Sequence, residues 1–142
     1  RMTRVLRSNG NDFFDDYAHH PTEIKSVLQS LKKINPKRKI ISVFQPHRYS
    51  RIKLLEKEFS FSFHSSDKLI LCPVYSAGEK INKNYNEVEF AKLIAKNSNT
   101  QVILIKGQEE LNKFFKKNLL SNELIIGMGA GSITRWMREI II

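Results

Sequence analysis

The sequence predicts an α/β fold: a three-layer domain with a mostly parallel six-stranded sheet, one antiparallel edge strand, and helices on both faces. Three observations carry this. Short β-branched apolar runs alternate with longer stretches of helical period. Two middle runs, Ile40-Ile41-Ser42-Val43-Phe44 and Val102-Ile103-Leu104-Ile105, are nearly all apolar, as strands covered on both faces must be. Ser8-Asn9-Gly10-Asn11 centres on an Asn-Gly pair, the signal of a tight hairpin, which makes the first two runs antiparallel. The arrangement is Rossmann-like.

Strands are expected at residues 3–7 and 12–16, either side of that hairpin. Pro21 at a first helical position opens a helix whose Ile24, Val27, Leu28, Leu31 and Ile34 share one face before Asn35-Pro36 ends it. A strand at 39–44 leads to a helix over 49–63 carrying Ile52, Leu55 and Phe59. A strand at 68–72 precedes a helix over 87–96 with Phe90, Leu93 and Ile94 inward. A strand at 101–105 precedes a helix over 109–119 with Leu111, Phe114 and Phe115 inward, and a strand at 123–126 precedes a last helix after Gly131. Each stripe reads as core, the phenylalanines included.

At 142 residues the chain forms one domain, long enough to bury roughly two-thirds of its unfolded surface without disulfides. Its single cysteine, Cys72, ends an apolar run and reads as a buried thiol in a reducing compartment. No apolar run is long enough to span a membrane and no leader pattern is seen, so a cytoplasmic location without membrane contact is expected. The chain begins at Arg1 rather than at an initiator methionine, so it is expected to be either processed or cut from something longer. The net charge of +10 raises the alternative of a module binding nucleic acid or another polyanion. Its lysines are scattered, however. Lys32-Lys33, Lys37-Arg38-Lys39 and Lys116-Lys117 lie near helix ends, where solvated charge complements the dipole. No basic stripe is interleaved with aromatics, so nucleic acid is not the expected partner.

Four polar clusters follow predicted strands, and in open α/β sheets ligands bind at those carboxyl ends. DDYAHHPTE at 15–23 sets two carboxylates and two imidazoles at a helix start; it reads as a helix cap, a metal site or a catalytic site. No third ligand group completes a metal site, and none is expected. FQPHRYSR at 44–51 places Arg48 and Arg51 three apart at a helix start, where they would share a face and could fork onto one carboxylate or phosphate. VYSAGE at 74–79 is the third cluster. GMGAGS at 127–132 is a glycine-rich turn that either offers helix amides to an anion or packs strand against helix.

In this order the four motifs resemble the C-terminal third of the Mur ligases, whose alanine-adding branch has a pattern close to DDY(A/G)HHPTE, FQPHR(Y/F)(T/S)R, VY(P/S)AGE and GAG. The resemblance covers nearly the whole chain. A branch that recycles murein tripeptide shares the first motif, and the second argues against it. The resemblance implies ATP-dependent amide-bond formation: phosphorylation of the lactoyl carboxylate of UDP-N-acetylmuramate, then attack by the amine of L-alanine on the acyl phosphate. It assigns Asp16 to the ATP ribose or nucleotide region and Arg1 to the nucleotide, reached from the domain boundary. Tyr17, His19, His47, Arg48 and Arg51 would bind substrate around the alanine. The UDP-binding and central ATPase domains of such a ligase lie outside this chain. ATP and Mg2+ would be held mainly by the central domain, and this domain alone is expected to have no ligase activity. No residue here is assigned to catalysis itself.

Overall fold

The computed structural model describes residues 2–141; the expectation for Arg1 lies outside them. The chain runs β1 (Thr3–Ser8), β2 (Asn11–Asp16), α1 (Pro21–Ile34), β3 (Ile40–Phe44), α2 (Tyr49–Ser60), β4 (Lys68–Leu71), α3 (Glu87–Ser98), β5 (Gln101–Leu104), α4 (Gln108–Asn118), β6 (Leu124–Met128) and α5 (Ile133–Arg138). The strands form one sheet in the order β1-β2-β6-β3-β4-β5. β1 pairs antiparallel with β2, and every other pairing is parallel. The hairpin turn has Asn9 at φ 52° and Gly10 at φ 76°, the two positive values that let a two-residue turn follow the strand twist.

Alternation along the strands divides the core in two. Ile40, Phe44, Leu69, Leu71, Leu124 and Ile126 face α1, α2 and α3, where they meet Ile24, Leu28, Ile52, Phe59 and Phe90. Phe13, Ile41, Val43, Ile70 and Ile125 face α4 and α5, meeting Leu111, Phe115, Ile133 and Met137. Cys72 lies in this second layer, fully buried, and burial pushes its thiol well above the ordinary range. It is packing material.

Several features differ from those expected, for physical reasons. The run at 102–105, expected to be covered on both faces, belongs to the edge strand β5, whose Gln101 and Leu104 are exposed. Ile34 is 75% exposed rather than inward. Ten residues past Ile24 it lies about 80° off the helix stripe, at the last position of α1. α2 ends at Ser60, with a kink at Leu55 (φ −120°, ψ 20°). β6 continues through Gly127 to Met128, so the glycine-rich segment is partly strand. A Cβ on Gly127 would lie 2.3 Å from Met137 Cγ, which makes this glycine a close-packing residue against α5.

The amino-terminal end of the sheet is locked by charge. Asp12, buried, is 3.0 Å from Nη1 of Arg38, 3.3 Å from Arg7 and 3.4 Å from Arg4. Arg38 also donates to the carbonyls of Gly10 (3.0 Å), Asn122 (3.0 Å) and Glu123 (3.2 Å). Expected as solvated charge after a helix, Arg38 instead ties the hairpin to the start of β6. No helix among the described residues is long and apolar enough to cross a membrane.

Candidate functional site

The four motifs converge at the opposite end, beyond the carboxyl termini of β2, β3, β4 and β6. Asp15 and Asp16 close β2 and, being adjacent, point to opposite faces. Asp15 turns to α5, accepting from Thr134 Oγ1 (3.3 Å) and Arg138 Nη2 (3.1 Å), a structural role. Asp16 is buried, and its Oδ1 accepts the Ala18 amide at 2.8 Å.

The two imidazoles of the first motif also divide. His20 is the N-cap of α1: its Nδ1 accepts the Thr22 amide (3.4 Å), while Glu23 Oε1 accepts the amides of His20 (3.1 Å) and His19 (3.2 Å). Partial burial alone would raise the Glu23 carboxyl. The His19 and His20 amides and the two nearby imidazoles outweigh it and hold the group below its ordinary value. The cap reading therefore applies to His20 and Glu23. His19 instead turns its ring toward the second motif, with Nδ1 2.9 Å from the Tyr17 carbonyl.

From His19 a row of rings crosses the strand ends. Tyr17 and His19 meet edge to face (centroids 5.2 Å), His19 and His47 lie 6.0 Å apart, and His47 stacks on Tyr75 at 5.6 Å with 22° between planes. Tyr17 is 60% exposed, a large ring offered to solvent at the site's edge. Arg51 Nη1 lies 3.4 Å from His47 Nδ1. Partial desolvation and then the cations Arg51 and Arg48, with His19 close by, lower the proton affinity of His47 below its ordinary value. The ring is neutral at pH 7.

Arg48 departs from the expected geometry. It is not within the helix but at the N-cap of α2, with φ 72° and ψ 135° and no side-chain cap of its own. The shared-face argument for Arg48 and Arg51 requires both to be helical, and only Arg51 is. What orients Arg48 is its strained backbone, pinned by donation of its amide to the Tyr75 carbonyl (2.8 Å) while the Tyr75 amide donates to Pro46 O (2.8 Å).

Sequence reasoning missed the groups beneath this row. Gln45, buried at the end of β3, donates from Nε2 to Ser132 Oγ (2.8 Å), and its Oε1 accepts the Ile133 amide (3.1 Å). That amide belongs to the first turn of α5, so the glycine turn here serves packing, with Gln45 capping the short helix. A Cβ on Gly131 would lie 2.4 Å from Tyr75 Cγ and 2.8 Å from Gln45 Oε1; only glycine lets the Tyr75 ring settle there. Gln45 and Tyr75 both stand within motifs singled out in the sequence, but nothing local to them assigned either a role.

A depression of about 350 Å³ opens beside Asp16, lined also by Tyr17, Ala18, Glu23, Ser26 and Val27. The buried Asp16 carboxylate lies at its margin. Among the described residues that line it there is no lysine or arginine. Among the described residues no three His, Cys, Asp or Glu side chains gather as a metal ion would require.

Comparison with known proteins shows the family. A family model described as Mur ligase, glutamate ligase domain, matches residues 1–131. A UDP-N-acetylmuramate–L-alanine ligase of Pelagibacter ubique is 44% identical over 140 residues, covering 99% of this chain and 30% of its own length. One from Hydrogenobaculum is 41% identical over 139 residues, covering 98% and 30%. This chain thus spans under a third of these curated relatives. In fold it is similar to a UDP-N-acetylmuramate–alanine ligase from Thermotoga maritima (TM-score 0.73, 24% identity, covering 97% of this chain and 28% of that one). It is equally similar to a murein peptide ligase from Psychrobacter arcticus (TM-score 0.74, 17% identity, covering 99% and 30%). The chain belongs to the Mur ligase family, as its C-terminal domain.

Proposed function

We propose that this domain is the amino-acid-facing wall of an ATP-dependent ligase that joins L-alanine to UDP-N-acetylmuramate in peptidoglycan precursor synthesis. The observation that carries the reading is the Arg51–His47 contact beside the pinned Arg48, reached by His19 and Tyr17 from the first motif. ATP supplies the phosphoryl group that activates the lactoyl carboxylate. The residues of this chain handle the amino acid. Arg48 and Arg51 attract its carboxylate, and a guanidinium is suited to forked recognition of that group. Their positive field also lowers the pKa of a nearby ammonium, which favours the neutral amine that attack requires. His47, neutral in that field, presents an uncharged ring to the amine. Asp16 offers an acceptor to the ribose, and the UDP-binding and ATPase domains that complete the site would belong to the same polypeptide.

Sequence favours the alanine-adding reading over tripeptide recycling. The relatives at 44% and 41% identity are named as alanine ligases, whereas the murein peptide ligase shares the fold at 17%. The test is product formation by a full-length protein carrying this domain, with L-alanine and a murein tripeptide in competition. Preferential formation of the alanyl product is expected; preference for the tripeptide would replace this reading. The domain by itself is expected to release no phosphate in an alanine-dependent manner, because nothing in its sequence resembles the glycine-rich, lysine-containing phosphate loop of a central ligase domain.

A further inference from the structure

We propose that Glu79 is a positioning residue for the amino-acid clamp: from the loop after β4 it caps the start of α2, and so fixes the backbone from which Arg48 and Arg51 project. The inference rests on the reading of those arginines given above. It begins with a deficiency. The first amides of a helix have no partners within it, and the N-cap side chain usually supplies one. At α2 the N-cap is Arg48, whose side chain has donors only and makes no cap hydrogen bond.

Glu79 fills this role from 29 residues away. Its Oε1 accepts the Ser50 amide at 3.3 Å, and its Oε2 accepts the Ser50 hydroxyl at 2.5 Å. The Ser50 hydroxyl, helped by the Ser50 and Tyr49 amides and the charge of Arg48, holds the Glu79 carboxyl below its ordinary value, so it is an anion at neutral pH. The loop is shaped to deliver it. After Tyr75 the chain turns back through Ala77 (φ 51°) and Gly78 (φ 90°), and the Glu79 amide donates to Ser76 O at 3.0 Å.

Residues 75–79 therefore grip residues 46–50 at both ends. Tyr75 bonds the backbone of Pro46 and Arg48, and Glu79 bonds Ser50. Between the two grips stands Arg48 at φ 72°. A non-glycine residue persists in that region only where its surroundings over-determine it. Loss of the Glu79 grip frees the helix start, and Arg48 can then relax out of the orientation that faces the ligand. Arg51, in the first turn of the same helix, shifts with it.

Steady-state kinetics of the full-length ligase, with Glu79→Ala, Glu79→Gln and Arg51→Ala in parallel, tests this. Glu79→Ala is expected to raise KM for L-alanine about tenfold, the scale of one lost helix cap. KM for ATP and for UDP-N-acetylmuramate should stay unchanged. Glu79→Gln, which keeps an acceptor for the Ser50 amide, should recover part of the loss. Adding Ser50→Ala to Glu79→Ala should cost nothing more. A rise in KM with Arg51→Ala but none with Glu79→Ala overturns the positioning role alone. Parallel changes in all three KM values and in thermal stability also overturn it, since they mark a general structural role. No change with Arg51→Ala overturns the clamp itself, and the inference with it.

Discussion

Arg51 holds its Nη1 3.4 Å from Nδ1 of His47, four residues back across the start of α2. A guanidinium has no acceptor, so the imidazole accepts through Nδ1 and its proton stands on Nε2. The contact links a cation and a neutral base on one short segment, and two expectations follow from the pairing.

Removal of the guanidinium from Arg51 should raise KM for L-alanine in the full-length enzyme. If the carboxylate and the arginine are desolvated together on closure, the loss is about 2 to 5 kcal/mol in kcat/KM. Arg48, more exposed, should cost less on substitution by alanine. Steady-state kinetics at varied L-alanine checks both, and an unchanged alanine dependence in the two variants would rule out the clamp.

His47 should titrate below about 6.5, the ordinary value for histidine. Its folded pKa is depressed, so between the folded and unfolded values the unfolded chain binds more protons. Its contribution to stability is present above the unfolded value and lost as pH falls through the folded one. NMR of the imidazole across pH 4 to 8 measures this directly. Arg51→Ala should move the midpoint upward; a midpoint in the parent protein at or above 6.5 would contradict a neutral ring.

Arg48 offers a comparison of strain against function. Arg48→Gly and Arg48→Ala both lose the guanidinium, but only glycine accepts φ 72° without strain. The glycine variant should be the more stable of the two by about 1 kcal/mol, or roughly 2–5 °C in Tm. Both should bind alanine poorly. Equal melting temperatures would mean that Arg48 carries no backbone strain.

Much of this was legible in the sequence. Short β-branched apolar runs and period-3.6 stripes located all eleven elements, and Asn9-Gly10 announced the antiparallel edge, because each signal is local. Tertiary partners were not local. Arg48 and Arg51 look like a helical pair by spacing, and only the bonds to Tyr75 reveal that Arg48 stands outside the helix. Glu79 and Ser50 are 29 residues apart, and Gln45 and Ser132 are 87, so no motif spacing could join them. Asp15 and Asp16 look equivalent in sequence, yet the strand sends them to opposite faces.

Gly131 permits the stacked pose of Tyr75, since a Cβ there would collide with the ring and with Gln45 Oε1. Gly131→Ala should cost about 1–3 kcal/mol through overpacking and should weaken activity by dislodging Tyr75 from His47. Truncation of Tyr75 to alanine makes room, so the double variant should be more stable than the two single effects sum to. Chemical denaturation of the four proteins measures the coupling, and strict additivity would show that the two residues do not share this space.

Arg38 is the structural counterpart of these arginines, at the far end of the sheet. Its partner Asp12 has a side chain only 6% exposed, and the other two arginines near it, Arg4 and Arg7, are 55% and 61% exposed. Arg38→Ala removes the closest cation and leaves three carbonyls to find water. A buried carboxylate stripped of its main partner typically costs about 3–5 kcal/mol, and partial compensation by Arg4 and Arg7 reduces this to about 2–4 kcal/mol. Tm should fall by roughly 5–15 °C. Arg38→Lys should recover little, because one ammonium cannot reproduce a planar fork bonded to a carboxylate and three carbonyls at once. Asp12 lies at the start of β2 and the ligand-facing residues lie beyond the strands' opposite ends, so KM for L-alanine should not move in any variant that remains folded. Calorimetry beside kinetics separates the outcomes. An unshifted Tm would show that the cluster is a surface ion pair of little consequence, and a shifted KM would show that the two ends of the sheet are energetically coupled.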